Sequence, residues 1–133
     1  MAIKIIRTKF EVMRESGLKD LQIVGSLNQA DPLDKKFVVR LVESFEHNKH
    51  LCLVYESLHL NLRQVLSKFS NNVGLSIEAV KLYGFQLFTS LAFLESAGIV
   101  HADLKPDNIM ITEDKRKIKL CDFGSCLTPK EVE

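Results

Sequence analysis

The chain opens on a short run in which β-branched residues crowd together. Ala2 to Arg7 carries Ile3, Ile5 and Ile6 and reads as a strand. Leu18, Leu21, Val24 and Leu27 then recur at the spacing of one helix face, which predicts a helix from about Glu15 to Asn28, ended by Asp31-Pro32. Phe37 to Phe45 reads as a strand with Val39, Leu41 and Glu43 on one face. The polar quartet His47-Asn48-Lys49-His50 predicts a turn, and Leu51 to Tyr55 returns as the second strand of a hairpin.

Beyond the hairpin the period changes. Asn61 to Phe69 reads as a short helix, and Asn71-Asn72-Val73-Gly74 as loop. The clearest helix is Ser76 to Ala97. Ser76 caps its start, Glu78 suits the positive end of the helix dipole, and Gly98 suits the position just past its end. Ile77, Val80, Leu87, Leu91 and Leu94 are expected to form its apolar stripe, and Gly84, a weak helix former, implies a close neighbour there. Ile109 to Thr112 and Lys117 to Leu120 predict a small hairpin around Glu113-Asp114-Lys115-Arg116. Strands before a hinge near Glu56 to Leu58 and helices after it make an α+β pattern with a ligand crevice between the two parts.

Composition narrows the class. With 46% hydrophobic and 26% charged residues the chain is ordinary globular material, and a net charge of +1 gives no basis for direct nucleic-acid binding. No apolar run approaches the roughly 20 residues that cross a bilayer, and Met1-Ala-Ile-Lys-Ile-Ile is too short for a secretory signal, so no membrane partner is expected. Cys52, Cys121 and Cys126 are odd in number and form no C-x-x-C pair, which suits a reduced intracellular setting. His47, His50 and His59 cluster in sequence without a second ligand group at zinc-finger spacing.

Chemistry concentrates in two segments. His101-Ala-Asp-Leu-Lys-Pro-Asp-Asn108 reads H-x-D-x-K-x-x-N, and Cys121 precedes Asp122-Phe-Gly124. Transfer of a phosphoryl group needs a carboxylate for the attacking hydroxyl, a cation for the γ-phosphate and oxygen ligands for metal ions, and these segments supply all three. H-x-D or D-F-G alone is common; the joint spacing is specific.

In that order and spacing the chain resembles the eukaryotic protein kinases. Met1-Ala-Ile-Lys4 is similar to their V-A-I-K strand, Leu51-Cys-Leu-Val-Tyr-Glu56 to the strand entering the hinge, and Asn61-Leu-Arg-Gln-Val-Leu66 to the helix after it. Leu51 to Leu58 with Asn61-Leu62, and His101 to Asn108, resemble the DYRK-related branch of the CMGC group, most closely the pre-mRNA-processing-factor-four type of serine/threonine kinase. The resemblance implies a two-lobe kinase fold, with 1–56 as the small-lobe part and 57–133 as the hinge and the start of the large lobe. It also implies ATP and Mg²⁺ as cofactors, a protein substrate, spliceosomal protein partners and a nuclear location.

The same resemblance implies a role for each site residue. Asp103 orients the substrate hydroxyl and Lys105 offsets charge on the γ-phosphate. Asn108 and Asp122 hold Mg²⁺, and Lys4 pairs with the α- and β-phosphates. Ala2, Met110 and Cys121 line the adenine pocket with Tyr55 at its back, and the backbone of Glu56 and Leu58 meets the adenine edge. His101 and Phe123 stack with Leu41 and Val24 in a spine joining the lobes, a structural role for the histidine.

Several features depart from the family pattern. No G-x-G-x-x-G loop precedes Lys4, and no A-P-E motif follows Gly124, after which the chain continues for nine residues. The expectation is therefore the middle portion of a kinase domain, inert in isolation. The competing reading is a truncated or pseudokinase-like binding module that keeps the crevice without turnover; intact Asp103, Asn108 and Asp122 weigh against it. Ala102 occupies the place where many kinases carry an arginine that pairs with an activating phosphate, which rules out that switch at this position. Asp20 stands where the family has glutamate. One methylene shorter, it reaches Lys4 only if the helix lies further inward or a water joins the pair.

Overall fold

The computed structural model describes residues 1–7, 9–69, 74–128 and 131. It contains two small antiparallel sheets with three helices around them. In the first sheet β1 (Ala2–Ile5) and β2 (Leu41–His47) flank β3 (His50–Tyr55). In the second, β5 (Ile109–Ile111) lies between β4 (Leu60–Asn61) and β6 (Ile118–Leu120). These elements agree with the two-lobe arrangement that the resemblance implies.

The β2–β3 hairpin closes on Asn48 and Lys49, whose φ values of 47° and 63° are those of a two-residue turn matched to strand twist. β2 begins four residues later than the expected Phe37. Residues 37–39 pair instead with the second sheet: Leu120 N donates to Phe37 O at 2.8 Å and Val39 N to Leu120 O at 3.0 Å. Val38 and Val39 are both buried there, so apolar content marked an extended segment without revealing its partner.

Helix α1 (Glu11–Ala30) starts a turn earlier than its apolar period suggests, because that first turn is exposed and carries no core residues. It buries Gly17, Asp20, Val24 and Leu27 on one face, at steps of three and four residues. Gly17 has a local reason to lack a side chain: a Cβ there would lie 2.7 Å from Ile6 Cγ1. Helix α2 (Leu62–Phe69) opens on a reciprocal cap, in which Gln64 N donates to Asn61 Oδ1 at 2.8 Å and Asn61 N to Gln64 Oε1 at 3.0 Å. The loop expected at 71–74 lies outside the described residues except for Gly74.

Helix α3 (Ile77–Ser96) is capped by Ser76, whose Oγ accepts from Ala79 N at 3.2 Å, and ends at Gly98 with φ of 70°. Its core face differs from the expected stripe. Leu94 is buried and Leu87 and Leu91 pack on the core, but Ile77 and Val80 are exposed. Gln86 takes a core position, donating to Arg116 O at 2.9 Å and accepting from Ile118 N at 2.8 Å. These bonds tie α3 to the second hairpin. Among the described residues outside its own turn of helix, a Cβ at Gly84 would meet nothing within 4 Å, so the expected close neighbour is not found there.

By length and composition α3 is apolar enough to cross a bilayer, which corrects the reading that no apolar run approaches that length.

Candidate functional site

A cleft of about 300 Å³ opens between the two sheets. Ala2, Lys4, Asp20, Val39, Tyr55, Glu56, Leu58, Asp107, Asn108, Met110, Cys121 and Asp122 line it. Every residue that the sequence assigned to nucleotide or metal binding is on this wall. Asp103 and Lys105 are tied to it through Asn108.

The pleat of the first sheet sets the upper wall. Ala2 pairs with Tyr55 and Lys4 with Leu53, so Ala2, Lys4 and Tyr55 share one face. Helix α1 lays Asp20, 1% exposed, against that face. Lys4 Nζ donates to Asp20 Oδ2 at 2.8 Å and to Asp122 Oδ1 at 2.9 Å. The shorter aspartate therefore reaches the lysine directly, without a bridging water. Asp20 Oδ2 also accepts from Tyr55 OH at 3.0 Å, and its Oδ1 from Phe123 N at 3.1 Å. Burial pulls the Lys4 ammonium down, but the Asp20 and Asp122 carboxylates outweigh it and hold the group above its ordinary value. Burial and then Asp20 push the Tyr55 phenol far up, so it stays a donor.

The lower wall is built around Asp103. Asn108 Nδ2 donates to Asp103 O and Oδ2, both at 2.9 Å, and Lys105 Nζ lies 2.7 Å from Oδ2. The Lys105 bond leads in holding the Asp103 carboxyl below the usual range, burial opposes it, and Asn108 adds to it. Two backbone residues here are left-handed: Ala102 with φ of 60° and Asp122 with φ of 63°. Such conformations in residues other than glycine hold only when the surroundings over-determine them, and they cluster at working sites.

Mg²⁺ prefers hard oxygen donors. Asn108 uses its amide nitrogen on Asp103, which leaves its Oδ1 for a ligand, and Asp122 is 48% exposed with Oδ1 bonded to Lys4. Both residues border the same cleft, so this donor set fits a hydrated Mg²⁺.

His101 is buried. Its Nδ1 accepts from Asp103 N at 3.3 Å, which leaves Nε2 to carry the proton and donate to Cys121 O at 3.1 Å. Its ring meets Phe123 edge-on at 5.2 Å, and Val24 and Leu41 belong to the same packed cluster as Phe123. Burial pushes the Cys121 thiol up to about 12, with Glu56 and Asp20 adding, so it stands in the cleft wall as a neutral group.

Sequence reading missed Val39, Asp107 and the cation behind the hinge. Lys119 is 2% exposed and pairs with both Asp34 and Glu56, while Glu56 Oε1 also accepts from Arg40 N at 2.8 Å. Asp107 is fixed by Arg63, whose Nε donates to its two oxygens at 2.8 and 2.9 Å.

A protein kinase domain model matches residues 1–131. The chain is 46% identical over 132 residues to the serine/threonine-protein kinase prp4 of Schizosaccharomyces pombe, covering 99% of this chain and 28% of that protein. It is 38% identical over 127 residues to the serine/threonine-protein kinase prpf4B of Dictyostelium discoideum, covering 94% of this chain and 16% of that protein. To a dual specificity protein kinase YAK1 homolog of Arabidopsis thaliana it is 38% identical over 136 residues, with 99% and 14% covered. The chain thus spans less than a third of the length of these relatives.

Proposed function

The chain belongs to the protein kinase family, and on that premise we propose that it serves ATP-dependent phosphorylation of serine or threonine hydroxyls in proteins. The observation that carries this reading is the convergence of Lys4, Asn108 and Asp122 on one cleft, with Asp103 and Lys105 bonded at its edge. Its similarity to both prp4 and a YAK1 homolog agrees with the DYRK-related branch of the CMGC group.

Each group then has one task. The Asp103 carboxylate, kept ionised by Lys105, accepts the hydrogen bond of the substrate hydroxyl and aims it. Lys105 sits where charge gathers on the group in transit. Lys4 meets the α- and β-phosphates, and Asp20 holds Lys4. Asn108 and Asp122 hold Mg²⁺, which when bound neutralises phosphate charge. The Glu56 backbone N–H is engaged by Arg40 O at 3.0 Å, which leaves its carbonyl, with the backbone of Leu58, for the adenine edge.

A nuclear setting and a spliceosomal protein substrate are the finer part of the proposal. They rest on the resemblance to pre-mRNA-processing kinases, which the 46% identity to prp4 supports.

The test is MgATP binding by this chain, followed by phosphate transfer to a serine- and threonine-containing protein by the completed kinase domain. Binding and transfer, with transfer lost in Asp103→Asn, are expected. Binding without transfer would leave a nucleotide-binding module, and neither would overturn the proposal.

A further inference from the structure

Asp20 is an unusual carboxylate to find fixed so completely. It is 1% exposed, on a two-torsion arm, and takes three donors: Lys4 and Tyr55 on Oδ2 and the Phe123 amide on Oδ1. A buried carboxylate is tolerated only when its oxygens are satisfied, and each missing donor leaves a desolvated charge. The sheet register explains how the phenol arrives. Lys4 sits opposite Leu53 and Tyr55 opposite Ala2, so Lys4 and Tyr55 are diagonal neighbours on one face. Both aim at the same carboxylate oxygen from β1 and β3, while α1 brings the carboxylate down from above.

We propose that the Tyr55 hydroxyl is a positioning group for Lys4, holding the short Asp20 side chain at the lysine and against the Phe123 amide. The inference rests on the nucleotide reading of the cleft and goes beyond it. There Tyr55 is only the back wall, a task that the ring performs without its oxygen. With the hydroxyl in place, one torsionally locked carboxylate ties β1, β3, α1 and the segment after β6 together. Without it, Oδ2 is held by the lysine alone, and the lysine can follow Asp122 instead, its other partner at 2.9 Å.

The test compares the full chain with Tyr55→Phe, Asp20→Ala and the double variant, using adenosine and MgATP as separate probes. Lys4 acts on phosphates, so Tyr55→Phe is expected to leave adenosine affinity unchanged and weaken MgATP about tenfold to a hundredfold, the size of one hydrogen bond to a charged group. In the Asp20→Ala background the same change is expected to have no further effect. Equal weakening of adenosine and MgATP, no weakening of either, or additive losses would each overturn the inference.

A second readout needs no nucleotide. Tyr55 and Tyr83 are the two tyrosines of the chain, so Tyr83→Phe isolates the tyrosinate absorbance of Tyr55. Ionisation is expected at lower pH once Asp20 is alanine. Unchanged ionisation means that the bond to Asp20 is not there, and the inference fails on its own. A parent chain that binds neither probe while Tyr55 still responds to Asp20 overturns the nucleotide reading and, with it, the role for Lys4.

Discussion

Lys119 Nζ lies 3.1 Å from Glu56 Oε1, and 2% of the lysine side chain meets solvent. The same ammonium pairs with Asp34, and Glu56 reaches back to the Arg40 amide at 2.8 Å. Three segments distant in sequence are thereby pinned behind the cleft: the stretch after α1, the residue that opens the hinge, and β6. The pair is under-solvated on the cationic side and half-solvated on the acidic side, at 26% for Glu56 and 36% for Asp34.

Lys119→Ala should therefore destabilise the fold strongly. Removing one partner of a buried pair costs about 3–5 kcal/mol, and the partial exposure of Glu56 and Asp34 brings the expected loss toward about 2 kcal/mol. Lys119→Met, which refills the volume, should lose less. Urea unfolding of the parent and both variants checks the order; a Lys119→Met variant as stable as the parent would show that the charge is not what holds the hinge.

Gly124 offers a second handle, one that couples helix α1 to the segment after β6. A Cβ at this position would clash with Ser16 Oγ and stand 3.1 Å from Ser16 O, which belongs to the helix backbone. A serine hydroxyl can turn away, but a helix carbonyl cannot without moving α1. Gly124→Ala should cost about 1–3 kcal/mol, the usual range for overpacking, and Ser16→Ala should recover part of it. The thermal midpoints of the two single variants and the double report this. Additive losses would mean that the strain lies elsewhere than at Ser16.

The outline of these relationships was legible in the sequence because the site residues sit at fixed offsets within two short segments. Asp103, Asn108 and Asp122 were read from spacing and Lys4 from its likeness to the V-A-I-K strand, and the structure brings all four candidates to the cleft or its edge. What escaped was what only tertiary contact decides. Lys117 to Leu120 reads as half of a small hairpin, which says nothing of the lysine within it; Ile118, Lys119 and Leu120 are all buried because Val38 crosses beside Leu120 and two acids meet the ammonium. Phe37 to Val39 read as hairpin and joins the other sheet instead, since an apolar run carries no label for its partner. The Asp20 to Lys4 distance was equally out of reach, because arm length matters only once the helix position is known.

Glu131 and Lys19 form an ion pair at 2.6 Å, and Thr128 donates to the same carboxylate through its N and its Oγ1, both at 2.8 Å. These bonds, led by Lys19, depress the carboxyl from 4.5 to about 2. A carboxyl depressed in the folded state adds stability above its unfolded value and loses it as pH falls through the folded one. The contribution should thus be complete above about pH 4.5 and vanish toward pH 2. Glu131→Gln should flatten that part of the stability profile and leave stability near pH 7 lower than the parent's. Urea midpoints across this range decide it; parallel profiles for parent and variant would sink the idea.

Asp103 is bonded to Asn108 and Asp122 to Lys4, and the two should fail differently when neutralised. Asp122 is a proposed metal ligand and a partner of Lys4 at 2.9 Å, so Asp122→Asn removes charge from two groups that meet the phosphates. MgATP affinity should fall by about tenfold or more, with adenosine affinity unmoved. Asp103 instead touches Lys105 and Asn108 and borders the cleft from outside its lining. Asp103→Asn should keep MgATP affinity within about twofold. Any turnover should drop by about a hundredfold or more, the usual contribution of a positioned acid–base group. The two variants are compared by MgATP titration and by steady-state phosphate transfer at saturating MgATP. If both lose affinity alike and keep similar turnover, metal holding and hydroxyl orientation are not divided between these two carboxylates.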